Sequence, residues 1–219
     1  MKNLNIKIIK NRNYKNLRLS FKGADSLLLS APKNATKKEC MDFLQDCKEW
    51  ILQNQKRFNA YDFKKELRED KIYLFGEWQD FCNQEARDCW GMFLAQKEKK
   101  KIADFYKMQL QEYLERRLPY FADCMQLFPK GYKIGKAFCA LGKCSSKEML
   151  NFSLQLAFMP KMAIDSVIIH ELAHLKFMNH SKDFWNLVFS YDKNPHFIKA
   201  WLRENHRFHK AFFNAICKA

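Results

Sequence analysis

His170-Glu171-Leu172-Ala173-His174 sets two imidazoles and a carboxylate inside a stretch, Met162 to Met178, whose spacing predicts a helix. At 3.6 residues per turn, histidines four apart sit one turn above each other, roughly 40° apart around the axis, so both rings reach one ion. Glu171 falls about 60° from His174 on the same side, near that ion but displaced from it. A carboxylate so placed can manage the proton of a water without being a ligand, which is the chemistry of metal-assisted hydrolysis. The same five residues also occur on core helices whose histidines are merely hydrogen-bonded, so the pattern needs a further ligand to be decisive.

His180 supplies one. Six residues beyond His174, it would be rotated by roughly 240° if the helix continued, so the helix must end first. Asn179 suits a C-terminal cap, and Ser181 suits the N-cap of a following helix that buries Phe184, Trp185, Leu187 and Val188. The turn between them would swing His180 back to the ion. Three neutral imidazoles with an open fourth position describe a catalytic zinc site, whereas a structural site is closed by four protein ligands. The remaining histidines carry less. His206 and His209, among Arg203, Arg207 and Lys210, are expected on a solvated helix face, and His196 in the first turn of that terminal helix. Glu204 is the carboxylate that would replace His180 if the third ligand lay elsewhere.

The elements that position these residues follow from apolar spacing. Within the helix, Ile164, Ile168, Leu172 and Leu175 form a packing stripe, while Asp165 and Lys176 lie well away from the histidines. The first thirty residues, with Ile6, Ile8 and Ile9, then Leu17, Leu19 and Phe21, then Leu27 to Leu29, suggest an antiparallel meander turning at Lys22-Gly23-Ala24-Asp25. Thr36 caps a helix running to about Phe58, with Cys40, Phe43, Leu44, Cys47, Trp50 and Ile51 on its apolar side. A short strand is expected at Lys71 to Phe75, a helical insert at 77–101 ending in the solvated run Lys97 to Lys101, and a helix from Ile102 to Leu118 stopped by Pro119. Tyr132 to Phe138 and Met149 to Ser153 are expected as strands bracketing a Gly142 to Ser146 loop. With no repeat and no low-complexity linker, one domain over 1–219 is the simplest organisation, its catalytic core at 132–192.

Composition bounds the rest. The chain has 219 residues, 47% hydrophobic and 29% charged, which suits a compact globular protein and excludes a fibrous or largely disordered one. Eight cysteines without a Cys-x-x-Cys pair indicate reduced thiols. No apolar run approaches the length of a membrane span, and the N-terminus has no signal-peptide core, so a cytoplasmic location without membrane contact is expected. The net charge of +15 raises the prior for anionic partners, including weak non-specific nucleic-acid binding.

His170 to Trp185, HELAHLKFMNHSKDFW, resembles the signature of the YgjP-like metallopeptidases, and more distantly the WLM and SprT-like proteases. The resemblance extends upstream through GKCSSKEMLNFSLQLAFMPKMAIDSVIIHELAHL, with Leu141 standing where the family commonly has Trp. It implies an α+β, zincin-like domain with a small N-terminal sheet, an active-site helix and a helical C-terminal region. It also implies Zn2+ on His170, His174 and His180, Glu171 as catalytic base, and a peptide or protein substrate. Met149 to Ser153 resembles the edge strand on which zincins align such a substrate. Two other expectations stand beside it: a protein acting on DNA-bound proteins, marked by a basic face, and a metal-binding protein without turnover.

Overall fold

The computed structural model describes residues 4–23, 26–59, 63–137 and 139–217. The expected turn residues Ala24 and Asp25 and the expected strand end Phe138 lie outside them. The architecture is mixed α/β, with small sheets and seven α-helices among the described residues, and the chain divides into two compact units, Met1–Glu66 and Leu67–Ala219. No helix of the described residues is long and apolar enough to cross a membrane.

In the first unit, strands β1 (Asn5–Asn11), β2 (Arg18–Gly23) and β3 (Ser26–Pro32) form a sheet in the order β1-β3-β2. This is not the expected meander. β2 and β3 do form an antiparallel hairpin, but β1 pairs with the far edge of β3 and runs parallel to it. The reason lies in β3: Leu27, Leu29 and Ala31 are fully buried, and such a strand is best placed at the sheet centre with a partner on each side. Helices α1 (Lys37–Asp46) and α2 (Lys48–Asn59) supply Cys40, Leu44 and Ile51 to the same core. Thr36 does cap α1, in a reciprocal capping box with Glu39. The expected single helix is interrupted at Cys47, where ψ opens to 5°, and Trp50 is 44% exposed, its ring tilted against that of Phe21 with centroids 5.7 Å apart.

The second unit begins with a hairpin of β4 (Ile72–Leu74) and β5 (Glu77–Gln79). Its two-residue turn, Phe75-Gly76, has positive φ at both positions, the geometry that matches strand twist in tight hairpins. The Phe75 N–H donates to the carbonyl of Ala157 at 2.8 Å, and a Cβ on Gly76 would stand 2.6 Å from Pro160. The hairpin tip thus braces the entry to the central helix. The 77–101 segment holds α3 (Gln84–Leu94), capped by Asn83.

α4 (Lys99–Met125) runs straight through Pro119. The expected stop fails because the apolar positions continue beyond it: Phe121, Ala122 and Met125 are buried like Leu110, Leu114 and Leu118 before it. Proline costs about 3 kcal/mol inside a helix, and burying three further apolar side chains offsets that. Pro119 and Glu115, whose carbonyl loses its donor, are both exposed.

A second three-stranded sheet repeats the topology of the first: β6 (Gly131–Gly135), β7 (Gly142–Cys144) and β8 (Met149–Ser153) in the order β6-β8-β7, with β6 parallel and β7 antiparallel to β8. Two expectations change here. Gly142 to Cys144 is a strand instead of a loop, and β8 is the central strand and not an edge. A 3₁₀ turn, Leu154–Phe158, leads to α5 (Lys161–Ala173), followed by α6 (Lys182–Tyr191) and α7 (Phe197–Cys217). α5 is buried on nearly every side, including Ala163, Ser166, Val167 and Ile169 outside the expected stripe. The Arg117 guanidinium donates from two nitrogens to Asp165, at 3.0 and 2.6 Å, and Tyr113 donates to the same carboxylate, which ties α4 to α5.

Candidate metal centre

α5 ends earlier than Met178. His174 is its C-cap, and the next residues tighten into i→i−3 bonds, Leu175 N–H to Leu172 and Lys176 N–H to Ala173. Asn179 therefore plays no capping role, and the six residues 175–180 form the turn that returns His180. Ser181 does cap α6, its Oγ accepting from the Phe184 N–H at 3.3 Å.

The turn brings His170, His174 and His180 together, with one nitrogen of each within 4.8 Å of the others. His170 Nε2 and His180 Nε2 stand 3.1 Å apart. His174 Nδ1 lies 3.0 Å from the carbonyl of Phe177, an acceptor, so that nitrogen carries the proton and Nε2 keeps its lone pair for the centre. Burial, with His174 and His180 as neighbours, pushes the His170 imidazole down to about 4, and burial also lowers His174. His170 and His174, held neutral, are ready donors, and with His180 beside them the three nitrogens fit a metal that prefers nitrogen.

α6 forms the wall behind the rings. The Phe184 ring centroid lies 4.9, 4.6 and 4.8 Å from those of His170, His174 and His180, and Trp185 stacks on His180 at 5.7 Å. The spacing that predicted Phe184 as buried core was right about burial and silent about this role. Trp185 is 36% exposed instead of buried.

Glu171 is only 4% exposed, and burial pushes its carboxyl up to about 7 against the opposing pull of the Cys144 N–H. Its Oε2 is buried without a hydrogen-bond partner. β7 shapes this environment, since a Cβ on Gly142 would stand 2.5 Å from Glu171 Oε1. The cleft beside it, about 280 Å³, is bounded by Leu141 and Gly142, by Ser166, Val167, His170 and Glu171 of α5, and by Trp185, Val188, Asp192, Pro195 and Ile198. Leu141 opens onto the cleft where a Trp would fill more of it. None of the residues 77–101 lines it.

Comparison with protein families decides the affiliation: residues 15–205 match the model described as YgjP-like, metallopeptidase domain. The chain belongs to that family. No curated protein and no solved structure matches it. The YgjP-like affiliation implies a metal ion, and the histidine cluster is the group of described residues that could hold one.

Other histidines lie apart from it. His209 is not on a solvated face: it is 1% exposed, and its Nε2 sits 3.2 Å from Gln155 Oε1, while Gln155 Nε2 donates to the carbonyl of Ala140 at 3.2 Å. His196 lies just before α7, its carbonyl accepting from Ala200, and Glu204 is exposed on that helix. Gly142, the Cys144 N–H and the Phe177 carbonyl escaped sequence reasoning. Only the glycine offered a signal, read there as a loop residue.

Proposed function

We propose that this YgjP-like domain is a zinc-dependent peptidase in which His170, His174 and His180 hold the metal and Glu171 is the general base. Glu171 carries the proposal. A carboxylate buried beside the three imidazoles, with one oxygen unpartnered and its pKa pushed to about 7, is poised to take and return protons near neutrality. Pure metal storage has no use for such a group. Bound zinc supplies Lewis acidity, polarising a carbonyl and easing proton loss from water. Glu171 then accepts the proton of the attacking water and passes it to the leaving amine, with no acyl-enzyme.

Substrate alignment falls to β7 in place of β8. Among the described residues β8 is paired on both sides, whereas β7 is paired on one. Along β7 the pairing alternates. Leu141 and Ser145 bond toward β8, so Gly142 and Cys144 direct their backbone groups outward, and the Cys144 N–H reaches Glu171. An extended peptide laid along that edge runs past the carboxylate by backbone pairing, with little demand on its side chains.

The test is Glu171→Gln, assayed for zinc content and for turnover of an unfolded protein substrate. Zinc should remain and hydrolysis should fall by roughly 10²- to 10⁴-fold. A Gln variant that cleaves as fast as the parent removes Glu171 from the role of base, and a zinc-loaded parent that never cleaves leaves a metal-binding protein without turnover.

A further inference from the structure

The positive charge is unevenly spread along the chain. Residues 1–34 hold eight Lys and Arg and a single acid, Asp25, which accounts for seven of the fifteen surplus charges in under a sixth of the length. The sheet register places two of these cations, Lys7 and Arg18, on one face. Leu27, Leu29, Ala31 and Phe21 turn into the core, so the opposite face carries the rows Lys7-Leu28-Ser20 and Ile9-Ser30-Arg18 across β1, β3 and β2. Lys7 and Arg18 are exposed, and Leu28, Ser20 and Ser30 are half-buried.

The β1–β2 connection borders this face. Tyr14, 38% exposed, lines two hollows. One, about 640 Å³, is lined by Asn13, Lys15, Asn16, Arg18, Ser20 and Ser30 among others, and the other, about 480 Å³, by Arg12, Pro32, Lys33 and Asn34. Neither contains a carboxylate. Among the described residues, none of Lys7, Arg12, Lys15, Arg18 and Lys33 makes an ion pair, so five cations stand without a neutralising partner.

We propose that this face binds single-stranded nucleic acid, with Tyr14 as the ring on which bases stack and Arg12, Lys15, Arg18 and Lys33 as the phosphate contacts. An aromatic face between cations is the combination that holds a single strand with little sequence preference. The asparagines and serines offer both donors and acceptors, which suit base edges and sugars. A duplex hides its bases from such a ring, and a lipid surface calls for protruding apolar anchors, whereas the exposed apolar side chain on the rows is Ile9 at 37%. The proposal uses no residue of the metal centre and stands or falls apart from the peptidase reading.

The experiment is fluorescence anisotropy on the full chain with labelled oligo-dT and oligo-U of about 15 nucleotides, in low salt and across a salt titration. Both should bind, and affinity should fall as salt rises, because each neutralised phosphate releases counterions. Lys15→Glu with Arg18→Glu should weaken binding by about tenfold or more. Tyr14→Ala should weaken it several-fold and Tyr14→Phe should restore it. Lys97→Glu with Lys100→Glu, in the other unit, should leave it nearly unchanged. Circular dichroism and the thermal transition report that each variant is folded. The proposal is overturned by no binding at low salt, by an equal loss in the Lys97/Lys100 variant, by a duplex that binds more tightly than the single strands, or by binding to phosphatidylserine vesicles alone.

Discussion

Gly142 and Glu171 are in contact across the cleft: the backbone of the edge strand lies so close to the carboxylate that any side chain at 142 would meet Oε1 at 2.5 Å and Cδ at 2.8 Å. The strand thereby excludes water from Glu171 while lending it one N–H, from Cys144. That balance holds the carboxyl near 7. Gly142→Ala should force either the strand or the carboxylate to move, at a cost of about 1–3 kcal/mol. The three imidazoles are untouched, so zinc should remain while turnover drops. Zinc content, thermal stability and hydrolysis measured together check this, and undiminished turnover would show that the contact does not hold the carboxylate in place.

The raised Glu171 pKa makes a stability prediction for the metal-free protein. With a folded value about 7 against an ordinary 4.5, the folded state holds its proton longer. Glu171 therefore imposes no penalty below pH 4.5, and stability is lost as pH rises through 7, by up to about 3 kcal/mol. Glu171→Gln should remove this loss, so that parent and variant diverge in urea titrations at pH 8 and converge near pH 5. Parallel profiles over that window would contradict the shift.

His180 is exposed and sits in a turn, outside the core. His180→Ala should leave the thermal transition of the metal-free protein within about 0.5 kcal/mol of the parent while zinc affinity collapses. Chelator competition measures the second quantity. Unchanged affinity would place the third ligand elsewhere, and Glu204 would then be the residue to replace.

His209 predicts an acid sensitivity of the opposite sign. Burial pushes its imidazole down to about 4 from 6.5. Its contribution is complete above pH 6.5 and is lost as pH falls through 4, on the order of 3 kcal/mol. His209→Gln cannot take up that proton, so its stability should decline less between pH 7 and 4 than the parent's. An identical decline would mean that His209 is solvated after all.

The histidine-bearing helix, the Ser181 cap and the Thr36 cap were legible in the residues alone, because each depends on groups a few positions apart along one chain segment. The return of His180 was legible for the same reason, although the helix ends at His174 and not near Asn179. What the sequence could not carry were relationships between distant segments. The pairing of β1 with β3 and of β6 with β8, the passage of α4 through Pro119, and the burial of His209 are each set by which surfaces meet. The most consequential case is Glu171: its residue type and spacing mark it as a candidate base from the sequence, but its raised pKa, about 7, arises in surroundings to which β7, some thirty residues earlier, contributes a glycine packed against it. Desolvation is a property of the assembled surroundings, and no local pattern encodes it.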